Sequence, residues 1–291
     1  MHLVVTTKGR LSAHSVRNVF ATKLVRVDRI KLLICDMDGT LYPGLGSELL
    51  ARLFLKNILR GLDPDALAQF EHAYFELMLE RERIASTGRQ VYADLVKGTL
   101  VAGGSLETSH LSVVEDEPVI IKAALISIGM SSRLTDRLYD EAKLDYLRRT
   151  GIVHVGINDE VYRLMNLFAG IPKVVATNSS IIAAEGVLKL LGIYHSFEKI
   201  YELCRKPAGL IEVLDAMLTR WGVDPGEALY LGDSYGLEIA VARAMGIPAV
   251  FVSREANEAT FKGLVLGQDS AKQPALVVTT SVNNVFAYLN G

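Results

Sequence analysis

The sequence predicts an α/β protein in which a doubly wound parallel sheet carries an inserted α-helical unit, and three observations support this fold class. Leu32 to Cys35 form a continuous apolar run, typical of a strand buried on both faces of a sheet. From Asn158 onwards, short apolar runs, polar turns and amphipathic segments alternate, as crossover connections between parallel strands require. Between these regions, residues 45–156 show helical periodicity and no clear strand.

The other predicted elements follow in chain order. In the inserted unit, apolar spacing predicts helices over residues 47–60, 63–88, 89–101, 118–130 and 131–149. In the alternating region, apolar runs predict strands over residues 173–176, 197–203, 228–231, 248–253 and 276–279. Helices are predicted over residues 158–168, from 180 onwards, and over 207–220, 239–245 and 282–289. The predicted domains are a basic N-terminal extension (1–30), an α/β core (31–44 and 157–291) and the helical unit (45–156).

Composition limits the classes of function. Half of the 291 residues are hydrophobic, enough for a sizeable core in one domain with a large insertion or in two domains. The net charge of −2 provides no general attraction to nucleic acid or to an anionic membrane. No apolar run is long enough for a membrane span. Cys35 and Cys204 lie in or beside apolar runs, which favours free thiols in a reducing, cytoplasmic environment.

The N-terminal extension is basic. Residues 1–31 contain seven lysines and arginines and a single acid, Asp28. This composition is also typical of a transit peptide, although no apolar signal core is present. A surface extension with an edge strand at residues 2–6 is the favoured interpretation.

The first candidate site is the turn that ends the first predicted strand. Asp36 and Asp38 lie two residues apart there, so their side chains share one side if the extended geometry continues. Gly39 permits a tight turn, and Thr40 adds a hydroxyl. Two carboxylates this close repel each other, and Mg²⁺, which favours carboxylates, waters and phosphate oxygens, would relieve the repulsion. A simple acidic turn is the alternative, but Asp-x-Asp-Gly-Thr is a rare combination.

A second polar cluster is predicted to meet Asp36 at the same edge of the sheet. Thr177 and Asn178 follow a predicted strand and offer a hydroxyl, an amide and the N–H groups of a helix start. Such groups bind phosphate oxygens well. The same residues also form an ordinary helix cap, so this cluster alone leaves both interpretations open.

Two more clusters complete the candidate set. Lys206 precedes Pro207 at a helix start, where the helix dipole disfavours a cation unless a phosphate or Asp36 compensates for it. A solvated lysine remains the alternative. Asp233 follows an apolar strand and provides a third carboxylate for a metal, with Glu238 as a candidate for the outer metal shell.

The turn at Gly232 also fits the G-x-S-x-G pattern of esterases, with Ser234 as the nucleophile. That architecture requires a histidine after the serine. Every histidine of this chain precedes Ser234: they are His2, His14, His72, His110, His154 and His195. Chain order therefore argues against a serine hydrolase.

Taken in order, these clusters resemble the four motifs of the haloacid dehalogenase superfamily. The resemblance covers residues 31–255, and the helical unit is similar to the cap that this superfamily places after its first motif. It implies a Rossmann-like core with an inserted α-helical cap domain and places the chain in the capped phosphatase branch. The run from Leu41 to Pro43 is similar to pyrimidine 5′-nucleotidase and phosphoglycolate phosphatase-like members, but Gly39 replaces the asparagine common there.

The resemblance implies a phosphomonoester hydrolase. Asp36 attacks phosphorus and forms an aspartyl-phosphate, while Thr177 and Asn178 hold the phosphoryl oxygens. Asp38 protonates the leaving oxygen and then takes a proton from the hydrolytic water. A dehalogenase or an ion-pumping ATPase needs no such acid, and phosphonate hydrolases carry alanine at that position.

The resemblance also implies a Mg²⁺ site. The metal is expected on Asp36, on Asp233 and on the carbonyl of Asp38, and Lys206 neutralises further charge. Glu238 stands where many members have aspartate, so it is expected to act at most in the outer shell.

The expected partner is a small-molecule phosphate ester, with no nucleic acid and no membrane involved. A phosphomutase, which would return the phosphoryl group to its substrate, is the first alternative. A catalytically silent binding protein that keeps the fold is the second, although a complete set of acids and lysine argues against it.

Overall fold

A computed structural model shows how the alternating pattern folds. It describes residues 19–21, 26–42, 59, 65–79, 117–150, 157–253 and 274–279. Within these residues the strands are β1 (Val19–Ala21), β2 (Leu32–Cys35), β3 (Lys173–Ala176), β4 (Lys199–Tyr201), β5 (Ala228–Gly232), β6 (Ala249–Val252) and β7 (Leu276–Thr279).

The described strands form one sheet in the order β1-β7-β6-β5-β2-β3-β4. Strands β2 to β7 are parallel, and β1 pairs antiparallel with β7 at one edge. The strand β2 lies between β3 and β5, with Cys35 in register with Val175 and Leu231. The chain therefore builds outward from β2 in both directions, and the carboxyl ends of β2, β3 and β5 meet where ligands bind in open α/β sheets.

The described residues include seven helices, some beside the sheet and some in the helical unit. They are α1 (65–79), α2 (Glu117–Ser127), α3 (Ser132–Thr150), α4 (Ile157–Leu167), α5 (Ile181–Leu190), α6 (Ala208–Trp221) and α7 (Ala240–Ala244). Gly222 ends α6 in the left-handed conformation, with φ of 60°, which a residue without a Cβ adopts easily.

The residues of β2 alternate between two apolar layers. Leu33 and Cys35 belong to one cluster with α4 and α5, whereas Leu32 and Ile34 belong to another with α6 and α7. All four are fully buried. Helices on both faces explain the continuous apolar run and confirm the predicted doubly wound α/β fold.

The helical unit has an apolar cluster of its own, formed by Leu59, Phe70, Ile121, Ala124, Leu125, Tyr139, Ala142 and Tyr146. Helix α3 contributes to this cluster and also places Leu144 and Leu147 in the core cluster. Gly186 on α5 allows this approach, because a Cβ there would lie 2.6 Å from a methyl carbon of Leu144. Helix α3 is therefore shared between the helical unit and the sheet domain.

Most predicted elements in the described ranges are found, and the largest difference concerns the strand predicted at 197–203. A 3₁₀ turn, Tyr194–Ser196, precedes β4, and the strand ends at Tyr201. Leu203 and Arg205 then adopt positive φ angles of 48° and 46°, which are incompatible with an extended strand. This turn directs the following Lys206 towards the site described below.

Some predictions fall outside the described residues: the helices at 89–101 and 282–289, the edge strand at 2–6, and most of the helix at 47–60. Strand β1, which was not predicted, lies within the range assigned to the basic extension. The division into extension, core and helical unit stays a prediction. Among the described helices, none is both long enough and apolar enough to cross a membrane.

Candidate active site

Three strands end at one place and each delivers a polar residue there. Asp36, Thr177 and Asp233 directly follow β2, β3 and β5. Hydrogen bonds hold two of them: the backbone N–H of Asp36 donates to Leu231 O (2.8 Å), and that of Thr177 donates to Tyr201 O (3.0 Å). The convergence predicted for this edge is therefore present in the fold.

Asp36 forms a buried ion pair with Lys206. The Lys206 Nζ lies 2.6 Å from Asp36 Oδ1, and the two side chains are 3% and 7% exposed. Thr40 Oγ1 donates to the other oxygen, Asp36 Oδ2, over 3.2 Å. The backbone N–H of Lys206 donates to Asn178 Oδ1 (2.9 Å), so Asn178 fixes the loop that carries the lysine.

Glu238 is the second carboxylate that contacts Lys206 Nζ, and it is buried. A π-helical turn, Tyr235–Ile239, carries it, and Ser234 caps this turn by accepting a hydrogen bond from Leu237 N (3.2 Å). Burial alone would lower the pKa of Lys206, but the carboxylates of Asp36 and Glu238 raise it well above its ordinary value. Burial, followed by repulsion from Asp36, raises the pKa of Glu238 well above its ordinary value.

Asp36, Asp233 and Glu238 form a group that could hold a metal ion, with one oxygen of each lying within 4.8 Å of the others. Two glycines make this crowding sterically feasible. A Cβ on Gly39, whose φ is 78°, would lie 1.7 Å from Asp233 Oδ2, and one on Gly232 would lie 2.1 Å from Glu238 Oε2. Loss of hydration, with repulsion from Asp36, raises the pKa of Asp233 to about 8, although the residue stays exposed overall.

Asp38 has a separate set of partners. Lys143 of helix α3 and the hydroxyl of Tyr42 both contact its Oδ1, and Ser179 Oγ donates to its Oδ2 over 3.2 Å. The Asp38 side chain is 38% exposed, whereas that of Lys143 is 3% exposed. Desolvation works to raise the pKa of Asp38, but the Lys143 charge and the hydrogen bonds outweigh it and lower the pKa.

Thr177 is buried, and its Oγ1 accepts a hydrogen bond from Ser179 N (3.0 Å). Neighbouring N–H groups are also occupied: Ile181 N donates to Glu202 Oε2 and Ala183 N donates to Ser180 Oγ. Several N–H groups at and before the start of α5 therefore donate hydrogen bonds within the protein. Phosphate binding by Thr177 and Asn178 stays a prediction.

Comparison with known proteins identifies the family of this chain. The family profile described as haloacid dehalogenase-like hydrolase matches residues 30–246, about three-quarters of the chain. The chain belongs to the haloacid dehalogenase-like hydrolase family. No curated protein matches it.

Three solved structures are similar to this chain over most of its length. The putative HAD-hydrolase YfnB from Bacillus subtilis, bound to magnesium, is 15% identical with a TM-score of 0.50, covering 90% of this chain and 100% of its own. A 2-haloacid dehalogenase from Pseudomonas syringae pv. Tomato is 19% identical (TM-score 0.46, covering 90% and 98%). A HAD phosphatase from Thermococcus onnurineus is 18% identical (TM-score 0.43, covering 90% and 99%).

The acidic group of this hydrolase suits a divalent cation. Three carboxylates and the Lys206 ammonium, if all are ionised, leave two negative charges in a small volume. Mg²⁺ would balance these charges and favours this donor chemistry. Glu238 was expected only in the outer shell; the structure places it in the group and in contact with Lys206.

Sequence reasoning missed three residues that contact Asp38: Tyr42, Lys143 and Ser179. Tyr42 and Ser179 lie within or beside the motifs of Asp36 and Thr177 in the sequence. Their nearness to those motifs could have marked them as candidates. Lys143 lies in the middle of a charged helix, Ser132–Thr150, about 100 residues away in sequence, and no local pattern marks it. Only the packing of α3 against the sheet domain brings it to the site.

The G-x-S-x-G pattern has a structural explanation in this hydrolase. Ser234 Oγ accepts a hydrogen bond from Leu237 N and thereby caps the turn that carries Glu238. His195 lies in the 3₁₀ turn before β4, which is at the opposite end of that strand from the site. The order of residues and this placement both argue against a serine nucleophile.

Proposed function

We propose that this hydrolase is a Mg²⁺-dependent phosphomonoesterase that works through an aspartyl-phosphate intermediate on Asp36. The observation that carries the proposal is the difference in burial and partners between two neighbouring carboxylates. Asp36 is buried against Lys206, whereas Asp38, two residues later, keeps 38% of its side chain exposed and is held by hydrogen bonds. A buried nucleophile and an accessible acid–base group are the two roles that phosphoester hydrolysis requires.

In the first step, an oxygen of Asp36 bonds to phosphorus and the bond from phosphorus to the leaving oxygen breaks. Asp38 in its protonated form gives that oxygen its proton, so an alcohol leaves instead of an alkoxide. In the second step, the Asp38 carboxylate takes a proton from water, whose oxygen bonds to phosphorus while the bond from phosphorus to Asp36 breaks, so phosphate leaves and both carboxyl groups return to their starting states. The chain thus needs Asp38 in both protonation states, and its exposed surface lets substrate and water reach it.

Charge neutralisation is the second requirement, because a carboxylate must approach a phosphate dianion. Lys206, fixed by Asp36 and Glu238, supplies a buried positive charge beside the nucleophile. Asp36, Asp233 and Glu238 are the residues that would hold Mg²⁺, with the Asp38 carbonyl as the backbone ligand expected from the family. Bound there, Mg²⁺ would polarise the phosphoryl oxygens.

A small substrate is supported by a cavity of about 410 Å³ where α2 and α3 meet the sheet domain. It is lined by Lys122, Ser132, Arg133, Asp136, Asp140, Ser180 and Leu203. Ser180 directly follows Ser179, which contacts Asp38, whereas Asp36, Asp38 and Lys206 are not among the lining residues. The volume lies within the usual range for sites that bind small molecules.

A dehalogenase is the main competing activity within the family. A halide needs no proton to leave, so that reaction has no use for Asp38 or for the hydrogen bonds that hold it. A phosphomutase would use the same residues but would return the phosphoryl group to substrate.

The test is turnover of purified full-length protein with Mg²⁺, using p-nitrophenyl phosphate, a panel of phosphorylated metabolites and 2-chloropropionate. We expect phosphate release and, after acid quenching, a protein mass increased by one phosphoryl group. Chloride release without phosphate release would establish a dehalogenase instead. Isomerisation without free phosphate would establish a mutase, and no turnover of any compound would favour the silent binding protein.

A further inference from the structure

A single lysine connects the helical unit to the acid–base residue. Lys143 lies near the middle of α3, is 3% exposed, and contacts Asp38 Oδ1 on the sheet domain. Its Nζ also donates to Ser179 Oγ over 3.2 Å and lies 6.0 Å from the centroid of the Tyr42 ring. Ser179 in turn donates to Asp38 Oδ2, so lysine, serine and aspartate form a closed ring of polar contacts.

Burial of the Lys143 ammonium is unfavourable in free energy, and the apolar residues around it do not compensate. The adjacent Leu144, and Leu147 one turn later, face the apolar core, where an unpaired charge is unfavourable. A lysine in such surroundings persists when it is paired and hydrogen-bonded, as Lys143 is. Its side chain is therefore placed by the contact with Asp38 and Ser179.

Helix α3 contacts the start of α5 at two consecutive positions. Asp140 accepts a hydrogen bond from Ser180 Oγ, and one turn later Lys143 contacts Ser179. Residues three apart lie on the same face of a helix, so these contacts fix the rotation and the position of α3 together. The close packing of Leu144 against Gly186 occurs at the same interface.

We propose that Lys143 is a positioning residue for the acid–base step, acting through Asp38; the inference rests on the proposed phosphatase function. Lys143 and Tyr42 both contact Oδ1, whereas Oδ2 has the hydroxyl of Ser179 as its partner, so Oδ2 is the oxygen assigned to deliver the proton to the leaving group. Because Lys143 belongs to α3, the helical unit adds a third contact to the two that Tyr42 and Ser179 make with Asp38. The helical unit thus contributes to the orientation of the acid–base residue.

The test compares two substrates of nearly equal shape, p-nitrophenyl phosphate and phenyl phosphate. The nitro group stabilises the departing anion, so only phenyl phosphate depends strongly on proton donation. The quantity measured is kcat/KM, which reports the step that forms the aspartyl-phosphate. Wild-type turnover of both compounds would establish the proposed function separately, whereas turnover of neither would overturn it together with this inference.

For Lys143→Met we expect kcat/KM to fall about 100-fold with phenyl phosphate and less than about 10-fold with p-nitrophenyl phosphate. Lys143→Arg, which keeps a donor and a positive charge, should recover part of the loss with phenyl phosphate. Equal losses with both substrates would overturn the proposal. So would a gain with phenyl phosphate, because removal of the ammonium by itself favours protonation of Asp38.

Asp140→Ala is the matched control, since it removes a contact between α3 and the start of α5 without touching Asp38. We expect it to lower kcat/KM for both substrates by the same factor. If it reproduces the substrate-dependent loss of Lys143→Met, docking of the helix alone explains the effect and the lysine has no positioning role. Thermal unfolding followed by circular dichroism shows that each variant is folded at the assay temperature.

Discussion

Asp36 and Asp38 are two residues apart, and each is paired with a buried lysine, but the two pairs differ in origin and exposure. Lys206, from the loop after β4, belongs to the sheet domain, whereas Lys143 comes from the helical unit. The Asp36 side chain is 7% exposed and that of Asp38 is 38% exposed. The ion pair of Asp36 is therefore built and preorganised within the sheet domain, whereas the ion pair of Asp38 requires a second structural unit.

The largest effect is expected from removing the proposed nucleophile. Asp36→Asn should lower kcat/KM for p-nitrophenyl phosphate by about 1,000-fold or more, because the amide cannot form the acyl phosphate. Mass spectrometry of the acid-quenched variant should show no phosphorylated protein. Near-normal turnover by this variant would exclude Asp36 as the nucleophile.

Metal removal tests the acidic group around Asp36 further. Excess chelator should lower phosphate release about 100-fold or more, and added Mg²⁺ should restore it, because the acidic group then regains its counter-charge. Asp233→Asn should raise the Mg²⁺ concentration needed for half-maximal activity. Asp145→Asn, at an exposed pair with Arg149, is the control and should leave that concentration unchanged. Full activity in excess chelator would contradict the metal assignment.

The acid–base residue should show a smaller effect that depends on the substrate. Asp38→Asn should lower kcat/KM for phenyl phosphate about 100-fold, and for p-nitrophenyl phosphate less, because only the poorer leaving group requires a proton. Steady-state kinetics with the two esters measures this difference. A uniform loss would show that Asp38 binds substrate and does not transfer a proton.

The two lysines should also differ in their contribution to stability. Lys206→Met leaves two buried carboxylates without their cation and should lower the free energy of unfolding by about 3 kcal/mol. Lys143→Met leaves Asp38 partly solvated, so about 1 kcal/mol is expected. Urea denaturation measures both values. Lys189→Met, at an exposed pair with Glu185, is the control with a loss of about 0.5 kcal/mol or less. Equal losses for Lys206 and Lys143 would show that the two pairs are energetically alike.

The sheet domain could be predicted from sequence because its signals are local. The strands at 173–176 and 276–279 match their predicted bounds, since a strand covered on both faces needs an uninterrupted apolar run. Asp36 and Asp233 were candidates because they follow predicted parallel strands, whose ends carry functional side chains, and Lys206 was one because it stands at a helix start. The topology of the sheet brings Asp36 and Asp233 to the same edge.

The remaining features depend on contacts distant in sequence. Strand β1 is three residues long and pairs antiparallel with β7, and so short a segment has no periodicity to recognise. The early end of β4 depends on positive φ angles at Leu203 and Arg205, residue types that rarely adopt them. In the sequence, Lys143 cannot be told from a solvated lysine of a charged helix, because only the packing of α3 in three dimensions distinguishes it.

The sharing of α3 between two apolar clusters limits how the protein can change during evolution. An inserted residue rotates everything after it on a helix by about 100°, since an α-helix has 3.6 residues per turn. Within α3, such an insertion would turn Leu144 and Leu147 away from the core together with Lys143. New substrate preferences are therefore expected to arise from substitutions along this helix and from length changes outside it.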